Sequence, residues 1–196
     1  MSRRTIVWLV AVFTMIFAFT SVSYAVTLLK PGKALKQVLG KKAEIVVETH
    51  RLKGELLDRI KGKLGGALVQ FQEGSESAKV RSKTKIDFHF ATKDGKKTAV
   101  AIFDEQSGKW GPVKYLIGLN LDGSVKRVVV LSYSEKRGRP IARKSFLGQY
   151  KGKNSKSEMT VGKDITGISG ATISSKATTF AVNKVIVIYE EVYLNK

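Results

Sequence analysis

From Val80 to Phe90 the chain alternates. Val80, Ser82, Thr84, Ile86, Phe88 and Phe90 fall on one side, and Arg81, Lys83, Lys85, Asp87 and His89 on the other. A period of two puts successive side chains on opposite faces of an extended backbone. The stretch therefore reads as a half-buried antiparallel strand with a basic outer face, on which His89 is a surface residue. Turn chemistry then recurs. Lys93-Asp94-Gly95-Lys96 is one turn, followed by a strand over 98–103, and Gln106-Ser107-Gly108 is another. Strands over 113–119 and 125–132 are joined at Leu121-Asp122-Gly123, a hairpin signal. Together these make an antiparallel meander.

Helical spacing flanks the meander on both sides. After a boundary at Pro31-Gly32, Ala34, Leu35, Val38 and Leu39 fit a short amphipathic helix ended by Gly40. The run 43–47 reads as strand or loop, and His50 as a surface or helix-end residue. Leu56, Leu57, Ile60 and Leu64 form a second helix stopped by Gly65-Gly66. Residues 74–77 are a linker. Beyond the meander, 134–140 is basic and turn-rich. Residues 141–150 form a short helix with Phe146 and Leu147 inward, and 151–163 is a polar loop. Ala177, Ala181, Val185, Ile188 and Val192 share one face of a closing helix. The expected class is α+β, with N-terminal helices, an antiparallel β-meander and a C-terminal helix packed on the sheet. The organisation reads as 1–29, a helical region over 30–77 and a domain over 78–196.

Arg3-Arg4 are followed by 25 residues without a charge, Thr5 to Leu29, with the most apolar run from Ile6 to Phe19. One reading is a cleaved signal peptide, with small residues at Ser23 and Ala25 for the peptidase. The other is a membrane anchor through residues 5–27, since about 20 apolar residues cross a bilayer. Both leave the arginines in the cytoplasm and send the rest to the periplasm or the extracytoplasmic face of the inner membrane. The net charge is +19 and there are no cysteines. Disulfides, cysteine-ligated zinc, iron–sulfur clusters and attached c-type haem are excluded. Such a charge suits nucleic acid, an acidic partner or an anionic membrane, or is simply a solvated surface. Export removes the chain from nucleic acid, so no such partner is expected.

The stretch Asp164-Ile165-Thr166-Gly167-Ile168-Ser169-Gly170-Ala171-Thr172-Ile173-Ser174-Ser175 carries the chemistry. Small residues lead directly into an apolar helical pattern. Glycine lets an anion approach the backbone, hydroxyls donate, and a helix start offers free N–H groups. The stretch reads as a phosphate seat. The alternative is an ordinary Ser/Thr cap after a glycine turn. No catalytic triad, paired carboxylates or metal-ligand spacing is present.

Ser169-Gly170-Ala171-Thr172-Ile173-Ser174-Ser175 resembles the signature of the FMN-binding domain family. That family includes the flavin-carrying C components of sodium-pumping NADH:quinone reductases and G components of Rnf-type complexes, and stand-alone exported members. Residues 115–130 resemble the family's hairpin before the flavin loop. Ser134-Glu135-Lys136-Arg137-Gly138 sits where members carry a glutamate and, three residues on, a glycine. Phe146-Leu147-Gly148-Gln149-Tyr150-Lys151-Gly152-Lys153 resembles a run of the stand-alone members. The likeness covers about 109–192.

The resemblance implies FMN as cofactor, joined by a phosphoester to Thr172 by a separate flavin transferase. Ser169, Gly170, Ala171, Ile173, Ser174 and Ser175 would surround the phosphate, and Glu135, Arg137 and Gly138 would line the flavin. Lys151, Lys153 or Lys163 would neutralise the phosphate, and Trp110, Tyr115 or Phe146 would pack on the ring. Thr166 stands where many attached members have aspartate. The expectation is an exported flavoprotein that relays electrons among redox proteins of the membrane or periplasm, rather than an independent enzyme. The competing readings are a flavin-dependent reductase of a small substrate and a non-flavin basic binding domain of the envelope.

Overall fold

The computed structural model describes residues 25–75, 80–134 and 139–195. Most of the expected signal or anchor segment lies outside these residues, as do Glu135, Arg137 and Gly138. The elements run β1 (Val26–Thr27), α1 (Pro31–Leu39), β2 (Glu44–Arg51), α2 (Gly54–Lys63), β3 (Lys85–Lys93), β4 (Lys96–Ser107), β5 (Pro112–Leu119) and β6 (Val125–Tyr133). A 3-10 turn (Arg139–Ala142), α3 (Lys144–Gly148), α4 (Thr172–Tyr189) and a π-helical end (Glu190–Leu194) complete the chain. The strands form one antiparallel sheet in the order β1-β6-β5-β4-β3-β2. The α+β architecture expected above is therefore the observed one.

Local chemistry accounts for the meander. Asp94 and Gly95 both have positive φ, at 53° and 72°, which suits the twist of a two-residue hairpin. At the β5–β6 turn Gly123 has φ 84°, and the Asp122 carboxylate accepts from the backbone and hydroxyl of Ser124 at 2.8 and 2.6 Å. The turn expected at Gln106-Ser107-Gly108 is displaced. Gln106 and Ser107 continue β4, and the chain reverses at 108–111. Gln106 tolerates full burial because its amide is satisfied. It donates to Leu68 O and Asp104 and accepts from Gln70 N–H. The run 43–47, read as strand or loop, belongs to β2, which pairs with β3 along its whole length. Residues 30–77 thus contribute an edge strand to the same sheet.

Both sheet faces are covered, where the alternation suggested one. Ile86, Phe88, Phe90, Val100, Ile102 and Ile117 pack beneath α4 and α2. On the other side Ala34, Val38 and Leu39 of α1 lie on Ala91, Ala99, Ala101, Leu116, Val129 and Leu131. The alanines admit the helix closely. At Gly118 a Cβ would come within 2.2 Å of Val38 Cγ1, so glycine is required there. The strand expected from Val80 begins only at Lys85, and the basic face survives at Arg81 and Lys83 before it and at Lys85 at its start, with Asp87 exposed beside them. His89 is half-buried rather than a surface residue. Its ring meets Phe103 edge-on at 5.1 Å. His50 sits on β2, not at a helix end, between the rings of Phe88 and Tyr193.

The closing helix α4 is buried almost all round, not on one face alone, and carries Val182 and Ile186 inside as well. Polar anchors fix its rotation. Lys184, 3 % exposed, pairs with Asp104 at 2.6 Å. Thr178 and Thr179 hydrogen-bond the buried hydroxyls of Tyr115 and Tyr150 at 3.1 and 2.8 Å.

Candidate functional site

The segment before α4 is held from several directions. Asp164 closes its own turn by accepting from Thr160 N–H at 3.3 Å, and Ile165 is fully buried. Gln149, just after α3, pairs its side-chain amide with the backbone of Thr166. Its Oε1 accepts from Thr166 N–H at 2.8 Å and its Nε2 donates to Thr166 O at 3.2 Å. Ser175 reaches back from the first turn of α4. Its hydroxyl accepts from Ile168 N–H at 3.1 Å and donates to Ala171 O at 3.0 Å. Gly170 takes φ 73°, a left-handed conformation that turns the chain into the helix.

The candidate residues divide accordingly. Ser169, Gly170 and Thr172 are exposed, Ile173 is half-buried, and Ala171 is 9 % exposed. Ser169, Gly170 and Thr172 are the open part of the stretch, with Ala171 buried between them. Ser174 and Ser175 are 1 % and 0 % exposed and turn inward. Ser175 shapes the loop, and the carbonyl of Ser174 accepts from Thr178. The first intrahelical bond runs from Ser175 N–H to Ala171 O at 2.9 Å, and no side chain caps the helix. The N–H groups of Thr172, Ile173 and Ser174 therefore precede the helical ladder, at the positive end of an 18-residue dipole. Beside them stand the hydroxyls of Ser169 and Thr172. This donor set fits a phosphate.

Other segments converge on this end. Gly74 lies against Ile173, whose Cδ1 is 3.7 Å from where a glycine Cβ would be. Ser75 donates to Gly108 O at 2.6 Å and meets the Ser107 hydroxyl at 3.1 Å. Gly111 faces Ser134 so closely that a Cβ would fall 2.5 Å from the serine Cβ. β6 ends at Tyr133, so Ser134 also stands at this end.

Several sequence candidates lie elsewhere. Lys151 and Lys153 bracket Gly152, which pairs with Val125 at the opposite end of β6. Lys153 donates to Glu158 O. Lys163 is an exposed residue of the 160–165 turn. Tyr115 and Phe146 belong to the core, at 0 % and 4 % exposure. Trp110 is half-buried with the Lys109 ammonium 5.1 Å from its ring centroid. Lys176 does not stand out in the sequence. It is exposed one turn beyond Thr172, and i, i+4 spacing puts both on one stripe of α4. A cleft of about 370 Å³ continues along that stripe, lined by Lys63, Gln70, Gln72, Met159, Lys176 and Phe180. That volume lies within the range of small-molecule sites. Among the described residues no cluster of three or more His, Asp or Glu could hold a metal.

Residues 108–187 match the FMN-binding domain family. The chain is 33% identical over 110 residues to the G component of the proton-translocating ferredoxin:NAD(+) oxidoreductase complex of Clostridium ljungdahlii, covering 52% of this chain and 59% of that one. It is 33% identical over 93 residues to the G component of the Na(+)-translocating ferredoxin:NAD(+) oxidoreductase complex of Acetobacterium woodii, covering 43% and 45%. The chain thus spans about half the length of the curated relatives it matches. Among solved structures, NqrC of Shewanella oneidensis superposes with a TM-score of 0.51 at 16% identity, covering 86% of this chain and 89% of that one. The C component of the Na(+)-translocating NADH-quinone reductase of Parabacteroides distasonis gives 0.50 at 16%, covering 84% and 82%. These likenesses show a shared fold. The match over residues 108–187, together with these relatives, makes FMN the cofactor.

Proposed function

We propose that this FMN-binding chain is an exported electron relay, with its flavin held through a phosphoester on Thr172 Oγ1. The observation that carries the attachment is the combination at Thr172. It is the first residue of α4, its side chain is exposed, and the helix start beside it has no side-chain cap. A phosphate esterified there lies among the N–H groups of Thr172 to Ser174, and the helix dipole stabilises its negative charge. Ser169 supplies a further donor, and Lys176 a cation one turn away.

FMN, once bound, supplies the redox chemistry. The protein attaches it, orients it and sets the charge around it. Thr166 replaces the aspartate of many attached family members, and it is engaged through its backbone by Gln149. The nearest carboxylate, Asp164, is turned to its own loop. Recognition by a transferase then rests on the 169–173 stretch itself. Export fits a covalent link, because a dissociable cofactor would be lost outside the cytoplasm. The relatives from the two ferredoxin:NAD(+) oxidoreductase complexes support a place among membrane redox partners.

Intact mass after co-expression with a flavin transferase tests both parts. The expected product carries one FMN that stays with the polypeptide through denaturation, and Thr172→Ala abolishes it. Flavin that survives denaturation in Thr172→Ala overturns the attachment site. Flavin released from the wild-type chain overturns covalency while leaving FMN binding intact.

A further inference from the structure

The chain enters the fold at the flavin-loop end of the sheet. Val26 pairs with Tyr133 and Thr27 with Ser132, so Ala25 lies beside the end of β6. That end also holds the 108–111 turn, Ser75 and, through Gly74, Ile173. Immediately before Ala25 come Thr20 to Tyr24, and before them the apolar run from Ile6 to Phe19.

The same end is cationic. Pro31, Arg81, Lys83, Lys85, Asp87 and Lys114 line one recess, and Lys30 and Lys109 flank it, all with exposed side chains at the basic positions. The acidic groups facing them are few. Glu105 is 3.9 Å from Lys83, Asp87 accepts from Thr49 at 2.6 Å, and Asp104 is buried against Lys184.

Charge alone does not single out this end, because exposed Lys41, Lys42, Lys93, Lys96 and Lys126 gather at the other. Reach does. Five residues, Thr20 to Tyr24, extend at most ~18 Å. The twelve residues of β4 span ~40 Å from end to end. An apolar segment held in a bilayer can bring only the near end to the surface.

We propose that the N-terminal segment is retained as an anchor and that the Arg81–Lys83–Lys85 end of the sheet rests on anionic lipid headgroups, with the 169–173 flavin loop on the membrane-proximal side. Basic residues next to a membrane anchor are drawn to a negatively charged leaflet within a Debye length of it. The proposal rests on the export reading and not on the phosphoester.

The test uses the full chain, purified from membranes into nanodiscs of phosphatidylcholine with or without phosphatidylglycerol, and reads lysine acetylation by mass spectrometry. Lys83, Lys85, Lys109 and Lys114 are expected to be labelled several-fold less in the anionic discs, with Lys41, Lys93 and Lys96 unchanged. High salt is expected to remove the protection. The triple variant Arg81→Glu, Lys83→Glu, Lys85→Glu is expected to lose it at Lys109 and Lys114. Equal labelling in both discs overturns the proposal, and so does protection at the far end. Protection conferred by an added acidic protein instead of lipid also overturns it, as does an intact mass showing residues 1–25 removed. Protection that persists in Thr172→Ala separates this orientation from the attachment, so either reading can fail without the other.

Discussion

The two ends of α4 are built to opposite specifications. At the C-terminal end nearly every group is occupied. Glu191 accepts from Arg59 through Oε2 at 3.0 Å, while its Oε1 pairs with Lys63 at 2.9 Å and accepts from Asn195 at 3.1 Å. Tyr193 donates to Glu48 at 2.7 Å, meets His50 Nε2 at 3.0 Å, and packs against Phe88, Phe90 and Tyr189. At the N-terminal end the helix start has no side-chain cap, and Ser169, Gly170 and Thr172 are exposed. One end is over-determined by protein contacts, and the other leaves donors for something the protein does not itself supply. The difference separates what holds the helix from what the helix presents.

That separation can be broken by mutation. The largest effect is expected at the open end, where Thr172→Ala removes all denaturation-resistant flavin. Because Thr172 is exposed and caps nothing, thermal unfolding of the flavin-free chain should move by no more than ~0.5 kcal/mol. A large loss of stability in that variant would erase the distinction between the ends.

Next in size is the buried pair midway along the helix. Burial pushes the Asp104 carboxyl up, against the pull of the Lys184 ammonium and the Gln106 amide. Asp104→Asn strands a buried cation and is expected to cost ~3–5 kcal/mol in urea unfolding. Adding Lys184→Met should recover most of that loss. Flavin attached to whatever folded protein remains should be unaffected.

At the closed end, Lys63 above all, with Arg59 and Asn195, holds the Glu191 carboxyl down from an ordinary 4.5 to about 2. A depressed carboxylate stabilises the fold above its unfolded value, and the stabilisation drains away as pH falls through the folded one. Urea midpoints of the wild type should therefore drop between about pH 4.5 and 2. In Glu191→Gln this part of the acid dependence should vanish. The smallest effect is Tyr193→Phe, which keeps the ring packing and removes the hydroxyl bonds. A loss of ~0.5–1.5 kcal/mol is expected, again with the flavin retained.

Much of this was legible in the residues. Period two in 85–90, the Asp94-Gly95 and Asp122-Gly123 turns and the Gly40 and Gly65-Gly66 stops are local signals that the structure follows, whereas 80–84 alternates in sequence without being strand. What stayed hidden is non-local. Nothing in Glu44–Arg51 announces that it completes a sheet, because its outward Val46 and Val47 remain exposed at the edge. The covering of the second face depends on Ala99, Ala101 and Gly118 being small opposite Val38, a complementarity that neither segment reveals alone. In the site, Gly170 and Thr172 stand out through backbone chemistry that is sequential. The inward turn of Ser174 and Ser175 follows from the rotation of α4, set by distant Asp104, Tyr115 and Tyr150. Gln149 is visible in the sequence only as part of a motif, and its partner lies 17 residues away.

That partnership fixes where sequence length can vary. The amide of Gln149 grips the backbone of Thr166 as a neighbouring strand would, tying the end of α3 directly to the approach to Thr172. The intervening chain leaves and returns at a clamped pair, so its outermost portion, Asn154 to Ser157, forms a turn closed within itself. Residues inserted or deleted at that turn would enlarge or shrink a surface excursion without shifting the register of the helix start. Domains of this build can therefore diverge in length there while presenting the hydroxyl of Thr172 in the same place.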